Sequence, residues 1–280
     1  MNAIAGANSR KITPISCFVN EGVAKSQLDK ADQFTTAYPF PHLVFDGLFS
    51  EDLLSEVHRE FDDLGKQSWK EIENPLQLTL RSNPNSKFGP ATQTYFDILS
   101  APWFIAFLSE LTAIRGIVFD PIMKGGGMHE SRAGGKFGLH LDFSKHPVTK
   151  LDNRLVLITY LNKDWKEEYG GLLELWDMDQ KKCGASVLPV FGRTILFAHS
   201  DKSLHGHPNG LNPPPGKTRR SVAAYYYSNG RDDQGASASF DSHFAPHQAP
   251  SLLKTAIRSL TPPIFYSMAG ALKKKLIQRP

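Results

Sequence analysis

Cysteine is scarce in this chain of 280 residues, and its two copies, Cys17 and Cys183, are too few for a disulfide framework or a cysteine-rich zinc site. An excess of one charge is also lacking. The 32 basic and 28 acidic side chains leave a net charge of +4, which is too small for the electrostatic footprint of a nucleic-acid-binding protein. Hydrophobic residues make up 40% of the chain and charged residues only 21%, so wholesale disorder is excluded and a sizeable core is expected.

Long hydrophobic runs are absent as well. No stretch approaches the roughly 18 apolar residues that a membrane-spanning helix requires. Residues Met1 to Lys11 lack the apolar segment of a signal peptide. Together with the low cysteine content, these absences predict a protein of the reducing cytoplasm, without a transmembrane segment.

Three regions differ in their residue patterns. Residues 1–35 are polar and weakly patterned, which predicts a loose leader or a surface helix. Residues 36–230 are expected to form a single domain. Residues 231–280 are expected to form a helical, basic C-terminal extension. This helix is either solvated or, because it carries an apolar stripe, in weak contact with a membrane surface or a partner. Nothing in the sequence indicates the oligomeric state.

The predicted domain begins with a strand over Tyr38–Phe45 and a helix over Ser50–Phe61, in which Ser50 is a suitable N-cap and the apolar residues form one stripe. A second helical stretch covers 101–114. From residue 117 the pattern changes to short apolar runs, such as Leu155–Leu161, separated by turns rich in glycine and proline. Many short strands favour a sandwich, barrel or jelly roll over alternating β–α units. We therefore expect a mainly β core at about 117–230 with flanking helices.

The motif His140-Leu141-Asp142 places an imidazole and a carboxylate two positions apart on an expected strand. Since side chains alternate between the faces of a strand, His140 and Asp142 share one face and Leu141 points to the other. A third candidate ligand, His205, follows 63 residues after Asp142. Two histidines and one carboxylate form the facial triad that binds iron(II) and leaves positions open for other ligands.

Two adjacent arginines, Arg219 and Arg220, open the last long apolar run, fourteen residues beyond His205. A dicarboxylate co-substrate needs a fixed cation at the far end of its pocket, and a guanidinium binds a carboxylate through two parallel hydrogen bonds. Strand alternation allows only one of the two arginines to face the pocket.

These pieces occur in a definite order along the chain: His140-x-Asp142, Tyr160, Gly170-Gly171, Gly192–Phe197, Ser203-Leu204-His205 and Arg219-x-Ser221. In this order, residues 117–230 resemble the iron(II)/2-oxoglutarate-dependent oxygenases, particularly the prolyl 4-hydroxylase-like branch. The resemblance implies a double-stranded β-helix, or jelly roll, in which His140, Asp142 and His205 bind Fe(2+).

The resemblance also implies a place for the co-substrate. The C5 carboxylate of 2-oxoglutarate would bind Arg219, with Tyr160 and Ser221 beside it, and the Arg-x-Ser pattern favours Arg219 over Arg220 as the anchor. The implied reaction is hydroxylation of an unactivated C–H bond with O2, which yields succinate and CO2, and ascorbate is a candidate reductant. The substrate stays open between a prolyl residue of a protein or peptide and a small metabolite.

Two alternatives remain at the level of the sequence. His205-Gly206-His207 resembles the His-x-His of cupin metal sites, so a metal-retaining binding or sensing module without hydroxylase activity is the second hypothesis for the function. The glutamate that a cupin needs is absent from 208–212, which favours His207 as a neighbour of the site rather than a ligand. The glycine-rich stretch before His129 predicts a turn or bulge, and whether His129 or Ser131 lines the pocket is left open.

Overall fold

The computed structural model describes residues 18–231 and 238–245. Most of the expected C-terminal extension therefore lies outside the described residues, as do residues 1–17 of the expected leader. The domain boundaries stay predictions. Within the described residues, no helix is both long enough and apolar enough to cross a lipid bilayer.

The described chain alternates a few helices with many strands. The helices are α1 (Glu21–Leu28), α2 (Ala31–Thr36), α3 (Glu51–Asp63), α4 (Pro90–Ser100) and α5 (Pro102–Thr112). The strands are β1 (His42–Asp46), β2 (Trp69–Asn74), β3 (Gln77–Ser82), β4 (Val118–Phe119), β5 (Gly127–Ser131), β6 (Lys136–Leu141), β7 (Asp152–Tyr160), β8 (Leu173–Asp177), β9 (Lys182–Val187), β10 (Arg193–Ala198), β11 (Leu204–His207), β12 (Arg219–Ser228) and β13 (His243–Phe244).

The strands form one antiparallel sheet in the order β1-β10-β7-β12-β5-β3-β6-β11-β8-β9, with β2 beside β3, β4 beside β12 and β13 beside β6. The sheet curls so that residues of β6 and β11 face residues of β5, β7 and β12 across one interior cavity. This arrangement confirms the predicted mainly β architecture with a jelly-roll core and flanking helices.

Strand β7 shows why the core has two layers. Leu155 and Leu157 pack outward against the helices, in a cluster that includes Leu54 and Phe104, whereas Val156 and Tyr160 pack into the interior of the curled sheet. Both faces are buried, so the strand is a nearly continuous apolar run rather than an alternating one. The helices thus cover the outside of the sheet and leave its inner face to the cavity.

The predicted helix after Ser50 is confirmed as α3. The Ser50 hydroxyl accepts a hydrogen bond from the amide of Leu53 at 3.3 Å, and Leu53, Leu54, Val57 and Phe61 are all buried. The helical stretch expected over 101–114 is confirmed as α5. Within the expected leader, α1 and α2 are helical and Phe34 is buried against the core.

Two parts of the sheet were not expected from the sequence. β2 and β3 form a hairpin, and β3 pairs with both β5 and β6. Strand β13 pairs with β6, with His243 opposite Leu141 and Phe244 opposite His140. The sheet therefore continues beyond residue 230.

Candidate active site

Strands β6 and β11 are neighbours in the sheet and bring the three predicted metal ligands together. His140 and His205 are directly opposite each other in the antiparallel pair, and Asp142 lies just after the end of β6. Asp142 Oδ1 lies 3.4 Å from His140 Nε2, and Asp142 Oδ2 lies 3.6 Å from His205 Nε2. All three side chains are buried, and one ligand atom from each lies within 4.8 Å of the others. Among the described residues, no other group of three such side chains meets this condition.

Backbone hydrogen bonds fix the orientation of both imidazoles. His140 Nδ1 donates to the carbonyl of Gly138 at 2.9 Å, and His205 Nδ1 donates to the carbonyl of Ser203 at 2.8 Å. Since a carbonyl only accepts, each Nδ1 carries the proton, and in the neutral ring Nε2 then presents a lone pair. This arrangement, with the remote ring nitrogen bound to a carbonyl, is typical of metal-binding histidines.

The charges around Asp142 also suit a cation. Burial alone would raise the pKa of the Asp142 carboxyl, but the imidazoles of His205 and His140 outweigh burial and hold that pKa below its usual value. Burial lowers the pKa of His205 to about 4, so this imidazole is neutral at physiological pH. Asp142 Oδ2 is buried without a hydrogen-bond partner among the described residues. Two imidazoles that present Nε2 and an ionised carboxylate with a free oxygen fit a ferrous ion.

The two histidines of the metal-ligand cluster line a cavity that Arg219 also lines. The guanidinium of Arg219 is buried, its Nε donates to the carbonyl of Gly171 at 2.8 Å, and it lies 5.0 Å from the centroid of the Tyr160 ring. Burial lowers the pKa of Arg219, but an arginine still keeps its charge. No carboxylate of the described residues pairs with it. A buried cation without a counter-ion is costly, so this end of the cavity is suited to an anion.

Tyr160 and Ser221 lie beside Arg219, where the sequence places them. Ser221 follows Arg219 by two positions on β12, and its partner on β7 is Tyr160, so both side chains line the cavity. The Tyr160 hydroxyl is fully buried and has no hydrogen-bond partner among the described residues. Burial raises its pKa, so the hydroxyl stays protonated and is free to donate.

The neighbouring Arg220 points to the opposite side of the sheet. Its Nε donates to Glu130 at 3.0 Å, its terminal nitrogens contact Asp62, and its guanidinium lies 5.2 Å from the centroid of the Phe61 ring. These contacts connect β12 and β5 to α3. Arg220 therefore has its charge compensated outside the cavity, whereas Arg219 does not.

The residues that the sequence left open line the same cavity. His129 and Ser131 both face it from β5, and His207 faces it from β11. His129 Nε2 donates to the carbonyl of Gly125 at 3.0 Å, whereas His207 Nδ1 is buried and has no partner among the described residues. His207 lies outside the three-residue metal cluster. Thr79 of β3 also lines the cavity, and the alternating segment Gln77–Ser82 was the signal that could have located it.

Comparison with known proteins agrees with this geometry. Residues 126–227 match the family model described as the 2OG-Fe(II) oxygenase superfamily. No curated protein sequence matches the chain significantly. The matched segment contains both histidines, the aspartate and Arg219, and it ends one residue before the end of β12.

Several solved structures share the fold. A Pseudomonas putida prolyl-4-hydroxylase is 15% identical with a TM-score of 0.54, covering 73% of this chain and 100% of that one. A Trichoplax adhaerens prolyl hydroxylase, in complex with a peptide fragment of hypoxia inducible factor, is 12% identical with a TM-score of 0.55, covering 78% and 94%. HygX from Streptomyces hygroscopicus, with nickel and 2-oxoglutarate bound, is 14% identical with a TM-score of 0.50, covering 78% and 96%.

Proposed function

We propose that this chain, a member of the 2OG-Fe(II) oxygenase superfamily, hydroxylates an unactivated C–H bond and releases succinate and CO2. One observation carries the proposal: His140 and His205 of the buried His140–Asp142–His205 cluster line the same cavity as Arg219, a buried arginine whose charge no described carboxylate compensates. The first suits iron(II), and the second suits the distal carboxylate of 2-oxoglutarate.

In this proposal the protein holds and orients the reacting groups. His140 and His205 present Nε2 toward the metal, with their tautomers set by the carbonyls of Gly138 and Ser203. Asp142 adds the negative charge. Bound iron would supply the redox chemistry that couples decarboxylation of 2-oxoglutarate to C–H hydroxylation.

The other end of the cavity fixes the co-substrate. Arg219 would bind its C5 carboxylate, held in place by the hydrogen bond from its Nε to the carbonyl of Gly171. Tyr160 would donate its free hydroxyl to the same carboxylate, and Ser221 lies next to it in the sheet. Burial of all three excludes water, which strengthens the charged contact.

The test replaces Asp142 with Ala. We expect Asp142→Ala to abolish iron(II) binding and 2-oxoglutarate-dependent succinate formation. The circular-dichroism spectrum and the melting temperature should stay close to those of the wild type, because Asp142 Oδ2 makes no hydrogen bond with the described residues. The matched control is Asp179→Ala, which removes a carboxylate that is 78% exposed and pairs with Lys202 on the surface. Succinate formation by Asp142→Ala at the wild-type rate would refute the metal assignment, and a wild-type protein that forms no succinate would favour the binding-module hypothesis.

The substrate is proposed to be a prolyl residue of a peptide or a small metabolite. Support for a peptide comes from the fold shared with prolyl hydroxylases, one of them in complex with a peptide fragment. Intact-mass analysis that detects the addition of one oxygen atom in candidate peptides or in candidate metabolites separates the two.

A further inference from the structure

A row of side chains crosses four neighbouring strands on the cavity side of the sheet. Tyr160 of β7 is opposite Ser221 of β12, Ser221 is opposite His129 of β5, and His129 is opposite Arg81 of β3. Residues opposite each other in adjacent strands point to the same face. The first three line the cavity, so the fourth, Arg81, belongs to the same face.

The alternation along β3 agrees with this placement. Thr79 lies two positions before Arg81 and lines the cavity, so Arg81 shares its face. On the opposite face, the Ser82 hydroxyl accepts a hydrogen bond from the amide of Met128 at 3.0 Å. Arg81 is therefore directed toward the cavity by its register and by its position in the strand.

Arg81 has no counter-ion of its own. The half-buried guanidinium makes no ion pair and no side-chain hydrogen bond with any of the described residues. Other arginines nearby differ in this respect, because Arg132 pairs with Glu130 at 3.2 Å and Arg220 pairs with Glu130 and Asp62. The hairpin thus extends an uncompensated cation toward the cavity.

The packing around His129 places Arg81 on the metal side of the cavity. His129, which is opposite Arg81, contacts the carbonyl of Gly125, and a Cβ on Gly125 would lie 3.4 Å from Tyr225 Cε2. Tyr225 lines the cavity and stacks on Phe143, the residue directly after the aspartate of the metal-ligand cluster, with ring centroids 5.7 Å apart. Arg81 therefore belongs to the side of the cavity next to the metal ligands.

We propose that Arg81, beside His129 and Tyr225, forms a second anion-binding subsite that receives a carboxylate of the hydroxylated substrate. Neighbouring strands are about 4.8 Å apart, so Arg81 begins about 10 Å from Ser221 and the two arginines bind separate groups. This inference rests on the proposed function and extends it by naming the substrate class, a carboxylic acid.

The test compares Arg81→Gln with the wild type and with Arg132→Gln. The control removes the same charge from a side chain that is 67% exposed and pairs outside the cavity. Binding of propionate, benzoate and N-acetylproline, each beside its uncharged amide, is measured by ligand-observed NMR. The protein carries zinc(II) in place of iron and saturating 2-oxoglutarate, which occupies the Arg219 end. Succinate formation with iron(II) gives the 2-oxoglutarate requirement of each variant.

We expect at least one carboxylate to bind about tenfold more tightly than its amide in the wild type and in Arg132→Gln, as one charge-assisted contact allows. Arg81→Gln should lose this preference without a change in its 2-oxoglutarate requirement. Equal binding of acids and amides, or no binding of any acid, would overturn the subsite. A raised 2-oxoglutarate requirement in Arg81→Gln would instead assign Arg81 to the co-substrate. If the wild type forms no succinate, the proposed function fails, but the NMR comparison still decides the subsite.

Discussion

At the scale of the residue, the position of Arg219 depends on a glycine. Gly171 has a φ of +74°, its carbonyl accepts the hydrogen bond from Arg219 Nε, and an added Cβ would lie 2.5 Å from Leu211 Cδ2 and 2.9 Å from Arg219 Cδ. The turn therefore provides both the left-handed backbone and the space that the arginine occupies. Gly170 has a similar φ of +72°, but its nearest contact would be 3.8 Å away.

This difference gives a prediction with a built-in control. Gly171→Ala should displace Arg219. We expect the 2-oxoglutarate concentration for half-maximal succinate formation to rise on the order of tenfold to a hundredfold, because a small displacement of a positioned group greatly weakens its contact with the ligand. Gly170→Ala also places a side chain at a positive φ, but without the clash, and should change mainly the melting temperature. Equal effects of the two substitutions on the 2-oxoglutarate requirement would show that strain of the turn, rather than contact with Arg219, decides it.

At the scale of the element, the segment 238–245 holds the strand that carries His140. Phe244 is opposite His140 in the sheet, and their ring centroids lie 5.9 Å apart. The His140 ring also stacks on Phe137 at 3.9 Å, and the Phe137 and Phe244 rings lie 6.2 Å apart. The amide of Ala245 donates to the carbonyl of Leu139 at 3.0 Å, so backbone pairing adds to the aromatic contact. The segment lies outside the residues that match the family model.

We therefore expect Phe244→Ala to weaken iron(II) binding on the order of tenfold, as the loss of a group that supports a metal ligand commonly does. The control is Phe240→Ala, since Phe240 belongs to the same segment but is 47% exposed and has Lys150 over its ring. Metal affinity is measured by competition with a chelator. Unchanged affinity in Phe244→Ala would show that Phe137 and the hydrogen bond to Gly138 are sufficient to hold His140.

At the scale of the whole molecule, the interior of the sheet contains several histidines that burial keeps neutral. Burial lowers the pKa of His129 and of His205 to about 4 and that of His207 well below its usual value. In the unfolded chain such imidazoles take up protons near pH 6.5. Between pH 6.5 and 4 the unfolded state thus binds more protons than the folded state, and stability falls as the pH falls.

The metal-free protein should accordingly lose stability over this range. For His205, the lowered pKa corresponds to a decrease in the free energy of unfolding on the order of 3 kcal/mol between pH 6.5 and pH 4, at about 1.4 kcal/mol per pH unit. The protein is treated with a chelator and unfolded in urea at half-unit steps of pH. These data give the slope of the free energy of unfolding against pH, and His205→Gln should reduce this slope. A free energy of unfolding that stays constant between pH 6.5 and 4 would contradict this account.

The sequence by itself determined the elements whose pattern is local. Alternation along a strand placed His140 and Asp142 on one face, and the N-cap and apolar stripe of Ser50–Phe61 predicted α3. The order of motifs indicated the oxygenase superfamily and its jelly-roll fold. The roles of the site residues stay predictions, although His140, His205, Tyr160, Arg219 and Ser221 line one cavity and Asp142 lies against the two histidines.

Only the tertiary structure decided which distant side chains share that cavity. Arg81 and His129 are 48 positions apart and meet because β3 pairs with β5, a register that no local pattern specifies. The hairpin of β2 and β3 and the return of Phe244 to β6 depend in the same way on strand pairing. The alternation of side chains along a strand determines which face of the sheet a residue occupies. The neighbouring strands determine which side chains lie next to it on that face, and their pairing is established only when the whole sheet folds.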